Sequence, residues 1–168
     1  MAQRDPTTFA AFYAAHGAQL TRVLHAQTGD LAEAQDCVQE GFARAWQRWD
    51  VVEAYDAPDA WVRQVAWRLA VSRFRRARHA AGLLASQRPQ VSLPEISPDH
   101  VALVAALRRL PEAQRRALVL HHVAGLSVEE VARETGCPSG TVKARLSRGR
   151  TALAALLHDD DLEGATRV

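Results

Sequence analysis

Four basic side chains, Lys143, Arg145, Arg148 and Arg150, fall within eight positions, and no acidic residue occurs from Thr135 to His158. Cations grouped without nearby carboxylates meet a phosphate backbone with little repulsion. The surrounding residues say how they are presented. Ser127 followed three residues later by Glu130 is a capping box, which starts a helix. Val128, Val131 and Ala132 give that helix one apolar face, and Gly136 with Pro138 ends it near Thr135. In the next helix Val142, Leu146, Leu153 and Leu156 or Leu157 recur at near-helical spacing. They bury one side and leave Lys143, Ala144, Ser147 and Arg148 together on another. With the small Ala132 at the crossing and Gly136 four residues on, Ser127 to Leu157 is expected to form a helix-turn-helix whose open face reads bases.

Catalytic patterns are missing from the rest of the chain. Ser, His and Asp residues are scattered without a nucleophile elbow, a glycine-rich phosphate loop or metal-ligand spacing, so neither enzyme chemistry nor a cofactor is expected. Cys37 and Cys137 form no C-x-x-C pair, which argues against a disulfide framework or a zinc ribbon and fits a reducing cytoplasm. His121 and His122 are adjacent, about 100° apart on a helix, and so cannot converge on one metal as an i, i+4 pair can.

Many Ala and Leu, few aromatics and no sustained β-branched alternation predict an all-α protein. Its 168 residues suffice for one ordinary domain or two small ones. The formal charge of +2 hides an uneven distribution. Eight acids and two arginines lie between Asp30 and Asp59, then seven arginines and no acid from Ala60 to Pro94. Lysine occurs once against twenty arginines, a bias that a GC-rich genome produces without functional demand. The longest apolar run, Val101 to Leu107, is too short to span a bilayer, and no signal segment opens the chain, so a soluble intracellular protein is expected.

Asp5 and Pro6 offer a helix start, after which Phe9, Phe12, Tyr13, Leu20, Val23 and Leu24 form one core-facing stripe, with His16 on it as a core histidine. Gly29 and Asp30 break the chain. Leu31 to about Trp49 then makes a second helix that buries Leu31, Ala34, Val38, Phe42, Ala45 and Trp49 and turns Asp36, Gln39, Glu40 and Gln47 outward. An acidic patch on a DNA-binding protein repels phosphate and is better explained by a basic protein partner. A third helix, about Asp59 to His79, buries Trp61, Val62, Val65, Ala66 and Leu69, while Arg63, Arg73, Arg75, Arg76 and Arg78 supply positive charge suited to melted or duplex DNA. Trp67 points away from the apolar stripe, where it stacks on DNA or packs on a neighbouring helix.

DCVQEGFARAW resembles the region 2.2 pattern of bacterial sigma factors. The resemblance continues through AWVRQVAWRLAVSRFRR to LPEAQRRALVLHHVAGLSVEEVARETGCPSGTVKARLSRGR, in the order and spacing of the extracytoplasmic-function (ECF) group. It implies two small helical domains: sigma domain 2 over residues 5–80 and sigma domain 4, with the helix-turn-helix, over 98–158. A flexible linker over 81–97 joins them, and an acidic, mobile tail occupies 159–168. Core RNA polymerase and promoter DNA are the implied partners, and an anti-sigma factor is a further one the family allows. Asp36, Gln39 and Glu40 stand at the positions that dock on the polymerase. The third helix, with the loop from Asp50 to Asp59 before it, stands where the family recognises the minus-ten element, which marks Arg63, Trp67, Arg68, Arg73, Arg75 and Arg76. Many relatives read Arg-Asn-Leu-Ala-x-Asp where this chain has Trp67, Arg68, Leu69, Ala70, Val71 and Ser72, so three of these positions depart from the pattern. The last helix matches the reader of the minus-thirty-five element, with Lys143, Ala144, Ser147 and Arg148 toward bases and Thr141, Arg145 and Arg150 toward phosphates.

The segment from Ala81 to Ser97 contains Pro89 and Pro94 and no helical period, and fully extended it reaches roughly 55 Å. Beyond it Val101, Leu103, Val104, Leu107 and Leu110 begin the last core, Pro111 falls at a first helical position, and Ala117, Leu120, Val123 and Ala124 continue the core face to Gly125. A stand-alone helix-turn-helix regulator is the competing reading. It explains the basic helix but neither the DCVQEGF helix nor the arginine-rich third one.

Overall fold

The structure, a computed structural model, describes residues 5–80 and 98–165. All regular elements among them are helical, and the chain divides into two compact units, Met1–Val91 and Ser92–Val168. The expected linker, 81–97, and the last three residues lie outside the described residues.

The first unit holds α1 (Pro6–Thr28), α2 (Leu31–Gln47), the short α3 (Trp49–Val52) and α4 (Pro58–Ala80). Asp5 caps α1 by accepting from the Thr7 amide at 2.8 Å, and Gly29 ends it at φ 73°, a left-handed conformation that glycine adopts at least cost. Asp30 then caps α2 by accepting from the Glu33 amide at 3.0 Å. Between α1 and α2 lies an aromatic cluster in which Phe9 touches Phe12, Phe42, Trp46 and Trp49 at centroid separations of 5.1 to 6.5 Å. The Trp49 indole inside it donates to Thr8 Oγ1 at 2.9 Å, so its one polar atom is satisfied. Helices α2 and α4 meet at Gly41. A Cβ there would lie 3.2 Å from Val62 Cγ1 and 3.3 Å from the Val62 carbonyl oxygen, tighter than ordinary contact, so a larger residue would press on α4.

Several expectations change in this unit. The second helix stops at Gln47, and Trp49 opens α3 instead. Half of the expected 50–59 loop is therefore helical or already α4, since Pro58 begins that helix at a position where its missing amide costs nothing. Tyr13 is 45% exposed, lying edge-on over Phe42 at 4.7 Å, and His16 is half-buried with its ring 4.9 Å from Phe12. On α4 the fully buried residues are Val62, Arg63, Ala66 and Ala70, while Trp61, Val65 and Leu69 are half-buried. Arginine takes a core position that the apolar period had given to its neighbours.

The second unit holds α5 (Pro98–Arg108), α6 (Glu112–Leu118), α7 (Val128–Thr135) and α8 (Ser139–Ala165). Pro111 caps α6 rather than opening it. The chain leaves α6 through one wide π turn, Val119–Val123, which carries both histidines. The His121 and His122 rings lie 4.7 Å apart, and His121 Nδ1 approaches the Leu126 carbonyl oxygen at 2.7 Å, a contact in which that nitrogen donates. Among the described residues no group of three His, Cys, Asp or Glu side chains converges on a metal position. The acidic end of the chain, expected as a mobile tail from residue 159, continues α8 without a break to Ala165. Ala and Leu from 152 to 157 favour helix strongly enough to carry the following acids with them.

Candidate polymerase and nucleic-acid interfaces

The helix-turn-helix forms as its sequence requires. Ser127 Oγ accepts from the Glu130 amide at 3.2 Å while Glu130 Oε2 accepts from the Ser127 amide at 2.7 Å, so both capping bonds close. Gly136 ends α7 at φ 66°, and Pro138 then stands just before α8. Val131, Val142 and Leu146 are buried and fix which side of α8 faces inward. Gly149 completes that side: a Cβ would fall 2.9 Å from Leu118 Cδ1 and 3.2 Å from Leu118 Cγ, so glycine lets α6 lie close against α8. Composition and period alone gave Gly149 no role, because only the partner helix reveals the contact.

With that side buried, Lys143, Ala144, Ser147 and Arg148 are all exposed, as the sequence placed them. Arg148 lies back along its own helix, its Nε donating to the Ala144 carbonyl at 3.4 Å. Arg150 is exposed and Thr141 half-exposed. Arg145 differs: it is half-buried, and its Nη1 donates to Cys137 Sγ at 3.3 Å, with Thr135 Oγ1 3.1 Å from the same sulfur. Its guanidinium therefore braces the turn rather than standing free beside Arg148. Behind it, burial holds the Arg116 guanidinium below its ordinary range, with Glu134 and Glu112 opposing that shift. Burial likewise lowers the His122 pKa, with His121 and Arg150 adding repulsion, so His122 stays neutral to lower pH than a free histidine.

On α2, Asp36 and Gln39 are exposed and Glu40 Oε1 accepts from Arg44 Nε at 2.8 Å, with both side chains close to half exposed. Such a pair is worth about 0 to 1 kcal/mol and exchanges readily for another partner. Behind this face Cys37 is fully buried and donates to Glu33 Oε1 at 3.3 Å. Burial first, then the Glu33 carboxylate, pushes its thiol pKa up to about 12.

The arginines of α4 separate into two kinds. Arg63, expected toward DNA, is 7% exposed and pairs with Asp59 at 3.5 Å, so it belongs to the interior of the unit. Arg73 reaches across to α2 and pairs with Glu33 at 3.3 Å, tying the two helices together. Arg68, Arg75 and Arg76 line an open groove of about 350 Å³ together with Trp67, Val71, Ser72 and His79, while Arg78 lies over the Phe74 ring at 5.7 Å. Trp67 is half-buried and packs against the hydrophobic core, as one of its two readings expected, while part of its surface lines the groove. Ser72 was not a candidate, yet its Oγ accepts from Arg76 Nη2 at 3.3 Å and its carbonyl from Arg76 Nε at 3.4 Å. The serine holds the arginine along the groove, a contact readable in sequence only as an i, i+4 spacing.

Two structured units, one carrying an acidic helix face beside an arginine-lined groove and the other a helix-turn-helix, are the parts of a transcription initiation factor. Residues 12–80 match the family model for Sigma-70 region 2, and residues 100–153 match that for Sigma-70, region 4. The chain belongs to the ECF RNA polymerase sigma factors. It is 34% identical to the ECF RNA polymerase sigma factor EcfG of Rhodopseudomonas palustris (strain TIE-1) over 144 residues, 81% of this chain and 77% of that one. It is 32% identical to the ECF RNA polymerase sigma factor SigL of Mycobacterium tuberculosis (strain ATCC 25618 / H37Rv) over 156 residues, 89% of this chain and 88% of that one. Among solved structures, it resembles the sigma factor RpoE in complex with the anti-sigma factor NepR from Bartonella quintana. That match has a TM-score of 0.77 and 27% identity, and covers 90% of this chain and 97% of that one. The region 2 match sets aside the stand-alone regulator, which has no use for the first unit. No helix among the described residues is long and apolar enough to cross a membrane.

Proposed function

We propose that the two units divide promoter recognition between them as the residue chemistry dictates. On α8, Lys143, Ala144, Ser147 and Arg148 enter the major groove of the minus-thirty-five element, with Arg148 gripping a guanine and Ala144 offering apolar contact. Arg150 and Thr141 hold phosphates beside them, and Arg145 supports the turn that aims them. On α4 the groove lined by Trp67, Arg68, Arg75 and Arg76 meets the minus-ten element, while Arg63 and Arg73 keep α4 in place. Asp36, Gln39 and Glu40 on α2 dock on a basic surface of core RNA polymerase. The protein works in the cytoplasm, and the complexed state of its structural relative makes an anti-sigma factor a reasonable regulator of this chain too.

The observation that carries this reading is the common exposure of Lys143, Ala144, Ser147 and Arg148 opposite buried Val142 and Leu146. Binding-site selection with the polymerase-bound protein tests it. Arg148→Ala is expected to lose preference at one base pair of the upstream element and keep the rest. An unchanged selected motif removes Arg148 from base reading.

A further inference from the structure

The π turn after α6 holds its two histidines differently. His121 is half-buried and committed, its Nδ1 donating to the Leu126 carbonyl at 2.7 Å. Its ring stands edge-on to that of His122, with centroids 4.7 Å apart and planes at 73°. His122 is exposed, and among the described residues its ring nitrogens make no hydrogen bond. On α8, Arg150 follows Lys143 by seven residues and Ser147 by three, so the three share one stripe of the helix, and all are exposed. The Arg150 charge acts on His122, which therefore stands beside the far end of that stripe. The surroundings of His122 oppose its protonated form: burial first, then His121, then Arg150. Among the described residues the charged groups of the packed helices, Glu112, Arg115 and Arg116 on α6 and Glu129, Glu130, Arg133 and Glu134 on α7, add nothing to that field. Glu112 and Glu134 act on Arg116 instead, and Glu130 closes the capping box. An anion would reverse the balance, because a phosphate oxygen accepting from the imidazolium favours the charged form.

We infer that His122 and Arg150 grip one DNA phosphate together at the edge of the minus-thirty-five element, and that His122 takes up a proton from solvent as the complex forms. The inference rests on the assignment of α8 to that element. Residues near the start of a recognition helix reach base edges, whereas Arg150 lies about three turns into α8, where the backbone is the nearer target. The ring nitrogen that gains the proton becomes a donor to a phosphate oxygen, and no covalent bond between heavy atoms changes. His121 is a positioning residue: Leu126 holds its ring, and its edge restricts how His122 can turn. Binding then favours the protonated form that the free protein disfavours. The gain in affinity is complete below the free protein's His122 pKa, which lies under the ordinary 6.5, and is lost as pH rises through the higher pKa of the complex.

Holoenzyme assembled from this chain and core RNA polymerase would be bound to a selected promoter duplex at pH 6 and pH 8, each at several salt concentrations. His122→Gln cannot titrate, so its own pH dependence supplies the background of the polymerase. It is expected to match wild type at pH 8 and to bind about fivefold or more weakly at pH 6. The wild-type salt slope should steepen by about one on going to pH 6, and that of His122→Gln should not. His122→Arg, permanently charged, should exceed wild type at pH 8 and equal it at pH 6, a rescue that a merely structural histidine would not give. Because His122 is exposed, neither variant should disturb the fold, which circular dichroism checks. A ratio of wild type to His122→Gln that is the same at both pH values overturns the inference, as does a pH effect removed by His121→Gln and kept in His122→Gln. If that ratio is flat while Arg150→Ala still weakens binding, the histidine inference alone fails. If Arg150→Ala leaves binding unchanged at both pH values, the placement of this end of α8 on a phosphate fails with it.

Discussion

Arg148 and Arg150 are two residues apart on one helix and both exposed, yet they are given different work. Arg148 shares its face with Lys143, Ala144 and Ser147, so truncating it should cost about 1 to 3 kcal/mol and relax one base pair. Arg150→Ala should weaken all sequences alike and flatten the salt dependence. Competition binding at several salt concentrations against matched and single-mismatch promoters separates the two; identical profiles for both variants contradict the division. The thiols differ as sharply. Cys37 is fully buried with its pKa near 12, whereas Cys137 is half-buried at the turn, so a thiol reagent should modify one cysteine in the native protein and two in denaturant. From its ordinary pKa of 9.0 up to about 12, Cys37 has lost its proton in the unfolded chain but keeps it in the native one. Stability should therefore fall as pH rises through that window, less steeply in Cys37→Ala, which denaturant melts at pH 8, 9 and 10 would show. At this scale the exposed face of α8 was legible in the sequence because its inward side is apolar and regular. Arg63 was not, because an arginine whose charge is met by Asp59 four residues earlier has the same letter as one that meets DNA.

At the scale of elements, the interfaces depend on two glycines that let helices approach. Valine at 149 has no room beside Leu118, so Gly149→Val should force α6 from α8 and cost about 1 to 3 kcal/mol. Alanine is a weaker test, since its better helix propensity returns up to about 1 kcal/mol. Thermal unfolding should show the second unit melting several degrees lower with the first unchanged; an unshifted transition means that the helices were not in close contact. Helix α2 makes the opposite case. Among the described residues Glu40 is held only by the exposed Arg44 pair, so Glu40→Lys should leave the helical signal intact while core polymerase binding weakens. Unchanged core affinity removes Glu40 from the docking surface. The capping box, the Gly29 and Gly136 ends and the acidic face of α2 were all written locally, within a few residues of each other. The short α3, the π turn after α6 and the extension of α8 to Ala165 were not, since each depends on what the neighbouring helix or the preceding turn continues into.

For the whole molecule, membership of the ECF sigma factors means that neither unit acts alone. Each has a small basic surface: the groove carries three arginines, and the open face of α8 carries Lys143, Arg148 and Arg150. A handful of phosphate contacts gives weak binding that salt abolishes quickly. Core polymerase supplies what the chain lacks. On the proposed reading it fixes the separation of the two units, so that binding of one raises the effective concentration of the other, and holds the melted strand against α4. The most direct measurement is a footprint with a run-off transcript on a promoter selected by this protein, using the protein alone, core polymerase alone and both together. Protection spanning both elements and a transcript only from the mixture are the expected results. Tight protection by the protein alone, with no transcript from the mixture, would contradict the account.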